Sequence, residues 1–165
     1  MTRRASAEAW VVNASPLILL GKIGQLHLLE ALAPQVLVAA AVVEELAAGA
    51  DLDHEGRSTV TWAQARSVQN VPVPQSIAGW DLGAGESQVL AHCLGGRKRA
   101  VLDDAEARAA ARVHGVRLIG TLGVVLRARR ANLLPAARPV IERLQERGAF
   151  LSDDLVRQAL RKVGE

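Results

Sequence analysis

The chain has one cysteine, one methionine, one phenylalanine and no tyrosine among its 165 residues. A lone Cys93 excludes an internal disulfide and provides no thiolate set for zinc; it is expected as a small buried hydrophobe on a helix. Aromatic residues make up only 2% of the chain, so base stacking on an aromatic platform has almost nothing to work with. Any nucleic acid would have to be held chiefly through its phosphates. The longest apolar run, Val36 to Val43, is far too short to span a bilayer, and the N-terminus lacks the basic-then-apolar layout of a signal peptide. A soluble cytoplasmic protein with no membrane association is expected. Hydrophobic residues form 50% of the chain, enough to bury a core without disulfides or a structural metal.

Charge is present but unevenly placed. Residues 1–94 hold 5 Lys/Arg against 9 Asp/Glu, whereas residues 95–165 hold 15 against 8. Such a distribution suits an acidic site on one side with arginines offered to a polyanion on the other, and it equally suits a solvated Arg-rich surface. The densest late basic cluster, Arg127, Arg129 and Arg130, suits phosphate contact and plain solvation equally, and is the candidate contact should the ligand be a nucleic acid.

No repeat, low-complexity tract or linker divides the sequence, so residues 1–165 are expected to form a single domain with a core at about 10–147 and a C-terminal helix at about 152–164. Short β-branched runs at Trp10–Val12, Gln35–Val38, Val68–Val71, Ala100–Leu102 and Arg117–Ile119 alternate with helical patterns. Helices are expected from Ser15-Pro16, over Ala41–Ala48, Ser58–Arg66, Gly85–Leu94, Ala105–His114, about Leu122–Ala131 and Pro135–Arg147, with a polar loop at Gly49–Arg57. Ser152 is suited to cap a last helix carrying Leu155, Val156, Leu160 and Val163 on one stripe. The β-α alternation implies a mostly parallel sheet with helices on both faces. Ligands of such sheets bind beyond the carboxyl ends of the strands.

Asn13 and Asp103-Asp104 follow two of these strands, Glu86 falls in the first turn of a helix, and Glu45 lies on the helix after the second strand. This topology can gather them at one rim. Hard oxygen donors are what Mg²⁺ or Mn²⁺ requires, and such an ion can acidify water and stabilise a phosphodiester's developing charge without a histidine base. The four histidines, His27, His54, His92 and His114, show no paired ligand spacing.

These residues resemble the PIN domain ribonucleases, in particular the VapC-like toxin branch. The resemblance is carried by Val11-Val12-Asn13-Ala14-Ser15-Pro16-Leu17-Ile18, Val42-Val43-Glu44-Glu45-Leu46, Leu82-Gly83-Ala84-Gly85-Glu86-Ser87, Val101-Leu102-Asp103-Asp104-Ala105-Glu106-Ala107-Arg108 and Gly120-Thr121-Leu122-Gly123. It implies a Rossmann-like three-layer α/β/α fold with a central sheet of four to five strands. It also implies RNA cleavage by water activated on Mg²⁺ or Mn²⁺, a small antitoxin partner and a homodimer. By position it assigns catalytic roles to Asn13, Glu45, Glu86 and Asp104, of which Glu45, Glu86 and Asp104 would hold the metal, with Ser15, Asp103 and Arg108 in support. Asn13 is the departure, because most of the family carries Asp there. An amide oxygen can still ligate a metal but brings no charge, so a catalytically weak scaffold that binds RNA or protein is the competing expectation.

Several of these residues also have purely structural readings. Ser15-Pro16 suits a helix N-cap followed by proline. Asp103 with Glu106 has capping-box spacing, and Asp104 with Arg108 is spaced for an ion pair on one helix. Of Glu44 and Glu45, about 100° apart on a helix, only one can face a cleft squarely. Asp153-Asp154 complement a helix N-terminus. Gly83-Ala84-Gly85 fails as a dinucleotide fingerprint, since Gln88 stands at the third glycine and Glu86 would repel the anion.

Overall fold

A computed structural model describes residues 8–49 and 53–165. Strand β1 (Ala9–Val12) leads through helices α1 (Ala14–Lys22) and α2 (His27–Leu32) to β2 (Val36–Ala39), and then through α3 (Ala40–Ala48) and α4 (His54–Gln64) to β3 (Ser67–Val68). Helices α5 (Gln75–Ala78) and α6 (Ala84–Cys93) precede β4 (Lys98–Val101), and α7 (Ala105–Val113) precedes β5 (Leu118–Ile119). Helices α8 (Thr121–Arg130), α9 (Arg138–Glu146) and α10 (Asp153–Arg161) close the chain.

The five strands form one sheet in the order β3-β2-β1-β4-β5, and every pairing is parallel. Together with the ten helices among the described residues this is the three-layer α/β/α fold, with the parallel sheet expected from the alternation. The central strand explains its own composition: Trp10, Val11 and Val12 are at most 2% exposed, because a parallel strand covered on both faces has no polar side to offer. Helix α3 packs on α4 and α6, while α8 packs on α1, α2, α9 and α10.

Strand order decides where a site can form. From β1 the chain crosses to β2 on one side, and from β4 it crosses to β5 on the other, so the connections diverge beyond the ends of β1 and β4. The Asn13 N–H donates to the Val101 carbonyl at 3.1 Å, which ties the two strand ends together at that point.

The structure corrects several expected boundaries. The third strand covers only Ser67–Val68 rather than Val68–Val71. Pro72 and Pro74 lack the N–H a ladder needs, and the Gln88 amide takes both backbone groups of Val71, at 2.9 and 2.8 Å, fastening this segment to α6 instead. Helix α4 starts at His54, not Ser58, since Asp53 caps it by accepting from the Gly56 N–H at 2.8 Å. Of the expected Gly49–Arg57 loop, residues 50–52 lie outside the described residues. The short helices α2 and α5 were not anticipated. Ser152 caps α10 as expected, accepting from the Leu155 N–H, and Leu160 is 2% exposed, but Leu155 is 44% exposed and leaves the buried stripe. Cys93 is buried on α6, and that burial pushes its thiol up to about 12. Among the described residues no helix is long and apolar enough to cross a membrane.

Candidate active site and metal centre

Asn13 is the N-cap residue of α1, yet its side chain makes no capping bond. It is 2% exposed and turns into the sheet end, where Nδ2 donates to Glu86 Oε1 at 3.4 Å. Its Oδ1 is buried with no hydrogen-bond partner. Leaving a buried acceptor unsatisfied costs about 1–3 kcal/mol, so an orphan here asks for a ligand.

Two glycines make room for the neighbouring acids. A Cβ on Gly85 would lie 2.6 Å from Glu45 Oε2 and 3.2 Å from Asn13 Oδ1, so both oxygens border one point. A Cβ on Gly83 would lie 2.5 Å from Glu86 Oε2. The Gly83-Ala84-Gly85 segment therefore serves close approach of carboxylates, which is opposite in charge logic to phosphate cradling. Glu45, not Glu44, is the helix acid that reaches this corner. Burial, and then the nearby Glu86 carboxylate, hold the Glu45 carboxyl above its ordinary value, as expected where two like charges share a partly dry corner.

The second half of the site departs from expectation. Asp103 is not the helix cap. Its Oδ1 accepts from the Thr121 N–H at 2.8 Å and its Oδ2 from the Thr121 hydroxyl at 2.5 Å, joining the end of β4 to the start of α8. The cap of α7 is Asp104, whose Oδ2 accepts from the Ala107 N–H at 2.9 Å; the helix starts one residue later than a capping box with Glu106 requires. Arg108 does not form the expected pair with Asp104. Its Nη1 donates to the Leu102 carbonyl at 2.9 Å, and burial, then the charge of Arg112, lower its guanidinium from the ordinary value against the smaller opposing pull of Asp103. Ser15 is not the N-cap of α1 either, because Asn13 holds that position.

Asn13, Ser15, Glu86, Asp103, Asp104 and Arg108 nevertheless line one cleft of about 910 Å³, which continues past Thr121 to Phe150 and α10. Glu45 does not line this cleft; its Oε2 lies against Gly85, as does the Oδ1 of Asn13, which does line it. The structure does not bring Arg127, Arg129 and Arg130 to this cleft. They occupy the far end of α8, where Arg127 lies over the Trp10 ring at 5.8 Å and Arg129 pairs with Glu165 at 3.5 Å. Thr121, Gly85 and Gln88 are site-building residues that sequence reasoning passed over. The Gly120-Thr121 step directly after a strand was the available signal for the first.

Among the described residues no three His, Cys, Asp or Glu side chains converge closely enough to hold a metal ion as they stand, although His27, His54 and Glu55 line one small pocket. The nearest approach to a donor set is Glu45 Oε2 and Asn13 Oδ1, which both border Gly85, with Glu86 bonded to the Nδ2 end of the same amide. Mg²⁺ commonly takes only one or two protein carboxylates and keeps several waters. The orphaned Oδ1, and a Glu45 carboxylate disfavoured by burial and by Glu86, therefore fit a hard divalent cation.

The fold is a parallel α/β sheet with oxygen donors near its topological switch point, where ligands of such sheets bind. The family model described as PIN domain matches residues 9–165, and the chain belongs to that family. PIN domains are in general nucleases and typically depend on Mg²⁺. No curated protein matches the chain at a significant level.

Proposed function

We propose that this chain is a Mg²⁺- or Mn²⁺-dependent endoribonuclease and the toxin of a toxin–antitoxin pair. The observation that carries the reading is the buried, unpartnered Oδ1 of Asn13 beside two carboxylates whose mutual repulsion a cation would relieve. Glu45, Glu86 and Asn13 would hold the ion, which when bound supplies an acidified water and charge stabilisation at the phosphodiester. The chain's own residues do the rest. The Asn13 amide orients Glu86 through Nδ2, Gly85 lets Glu45 approach, and the Asp103–Thr121 bonds fix the cleft wall across which a phosphate would lie. Arg108 and Lys162 are cationic side chains that line the substrate side of the cleft. Asp104 lines the same cleft while capping α7 through Oδ2, and its Oδ1 would serve the ion or an ion-bound water.

Phe150, 104% exposed, and Leu155 stand on the outer wall of the cleft, an apolar surface that a small inhibitory partner or a second copy of the chain could cover. These two features support the antitoxin and homodimer assignments. The test of the activity is cleavage of unstructured and structured RNA by chain purified free of inhibitor, with Mg²⁺ or Mn²⁺. Cutting that Glu45→Gln and Glu86→Gln each abolish is the expected result; wild-type chain that leaves all substrates intact with either ion would overturn the reading.

A second reading has its own support. With Asn13 in place of an acid and with Asp103 and Asp104 both engaged by neighbouring backbone, the site has fewer free charges than a nuclease of this type ordinarily uses. A PIN scaffold that binds RNA or protein without efficient chemistry is then the alternative. Asn13→Asp discriminates, because cutting that appears only in that variant marks the natural chain as a degenerate nuclease.

A further inference from the structure

The sheet is electrically polar. Its carboxyl rim carries Glu45, Glu86, Asp103 and Asp104, whereas the opposite edge, where the strands begin, is built of arginines. There Glu8 bonds Arg99 at 2.5 Å and Arg117 at 2.7 Å, and Arg117 also donates to the Gly96 carbonyl. The last turn of α8 adds Arg127, lying over Trp10, with Arg130 beside it: burial, then the charge of Arg99, lowers the Arg127 guanidinium, with Glu8 opposing and Arg130 adding to the shift. One glutamate thus stands among the guanidinium groups of Arg99, Arg117 and Arg127, with Arg130 next to Arg127, and Arg97 is exposed on the turn next to Gly96. Arg117 retains 52% side-chain exposure even while paired, so its remaining donors face solvent. An excess of positive charge on an accessible, partly preorganised surface is the footprint of a polyanion partner.

We infer that this edge, formed by Arg97, Arg99, Arg117, Arg127 and Arg130, is a second RNA-binding surface that grips the phosphate backbone independently of the metal-bearing cleft. It rests on the RNA reading above for its choice of polyanion. Two features favour a sequence-independent grip. The described residues here supply guanidinium donors with a single aromatic ring, and that ring is buried under Arg127, so bases have nothing to stack on. Strands β1 and β4 are four residues long, which at about 3.3 Å per residue separates the patch from the acidic rim by roughly 13 Å. The patch is therefore outside the reach of groups acting at the scissile bond. It would raise the local concentration of RNA without taking part in cleavage.

The experiment is fluorescence anisotropy of an end-labelled, unstructured RNA oligonucleotide in EDTA over a range of KCl concentrations, so that no cutting can occur. The double variant Arg117→Gln/Arg130→Gln is compared with wild type and with Arg138→Gln/Arg157→Gln, which removes the same net charge elsewhere. Arg97→Gln/Arg130→Gln serves as a second patch variant that leaves the Glu8 network intact. The expected result is a loss of about tenfold or more in affinity for the patch variants alone. Because each phosphate contact on a single strand contributes about 0.7 to the salt slope, losing two lowers it by about 1.4. Equal losses in the patch and control variants, or unchanged affinity and slope in both patch variants, would overturn the assignment, as would tighter binding of duplex DNA of equal length. RNA cleavage measured separately with Mg²⁺ keeps failure of this surface distinct from failure of the nuclease reading.

Discussion

Asn13 and Glu86 lie 73 residues apart in the chain and meet through a 3.4 Å bond from the amide Nδ2 to carboxylate Oε1. That bond fixes which way the amide faces, so Oδ1 is the atom left buried and without a partner. Asn13→Asp replaces the donor with a second anion next to Glu86. In metal-free protein it should destabilise by about 1–3 kcal/mol, the cost of a lost buried bond and an added unpaired oxygen. Mn²⁺ should restore more stability to Asn13→Asp than to wild type, read from melting temperatures with and without the ion.

Gly85 permits the approach of α6 to α3 on which the site depends. In Gly85→Ala the new Cβ would fall 2.6 Å from Glu45 Oε2. Overpacking of this kind costs about 1–3 kcal/mol, offset by about 1 kcal/mol of helix propensity. A small net loss of stability together with a large loss of metal affinity or cutting is expected. Unchanged function in Gly85→Ala would show that Glu45 is not used where it stands.

Asp103 and Asp104 are neighbours with different duties, and stability measurements separate them. Asp103→Ala strands the N–H and hydroxyl of Thr121, which is 4% exposed, at about 1–3 kcal/mol for each unsatisfied group. Asp104→Ala removes a helix cap worth about 1 kcal/mol. Asp104→Asn keeps the cap and should unfold with wild-type energetics in urea. If Asp104→Asn nevertheless loses RNA cutting, the charge of Asp104 serves the reaction and not only the helix.

The raised Glu45 carboxyl predicts a pH dependence with a definite sign. Burial and Glu86 disfavour its ionised form in the folded chain, so the folded state binds the proton more tightly than the unfolded state does. The penalty is absent below the ordinary value of 4.5, where the group is protonated in both states, and grows as pH rises through the shifted value. Metal-free Glu45→Gln should therefore melt above wild type at pH 8, with the difference closing toward pH 4. An equal difference at both pH values would mean that charge is not its cause.

Much of this architecture was legible in the residues. The apolar runs flanking Asn13 and Asp103 located the central strands, and the spacing of Glu45 and Glu86 put both acids where the connections diverge. What could not be read was which atom of each acid is already taken. Capping-box spacing favoured Asp103, whereas the helix begins so that Asp104 caps it and Asp103 reaches 18 residues onward to Thr121. Arg108 looked like a partner for Asp104 because four residues separate them, but the Leu102 carbonyl at the strand end was the nearer acceptor. The arginines of α8 share its last turn, but helix direction, invisible in a local pattern, carries them away from the cleft, and Arg129 is paired with Glu165. Likewise Val71 reads as strand by composition and is held off the sheet by Gln88, a contact no local pattern predicts.

The most direct test of the site is a Mn²⁺ titration followed by calorimetry or electron paramagnetic resonance, using wild type, Glu45→Gln, Glu86→Gln and Asn13→Ala. If Glu45, Glu86 and Asn13 share one cation, wild type will show a saturable site weakened at least tenfold in each variant. A wild-type chain that takes up no Mn²⁺, or variants that bind it as well as wild type, would contradict a metal centre built from these three residues.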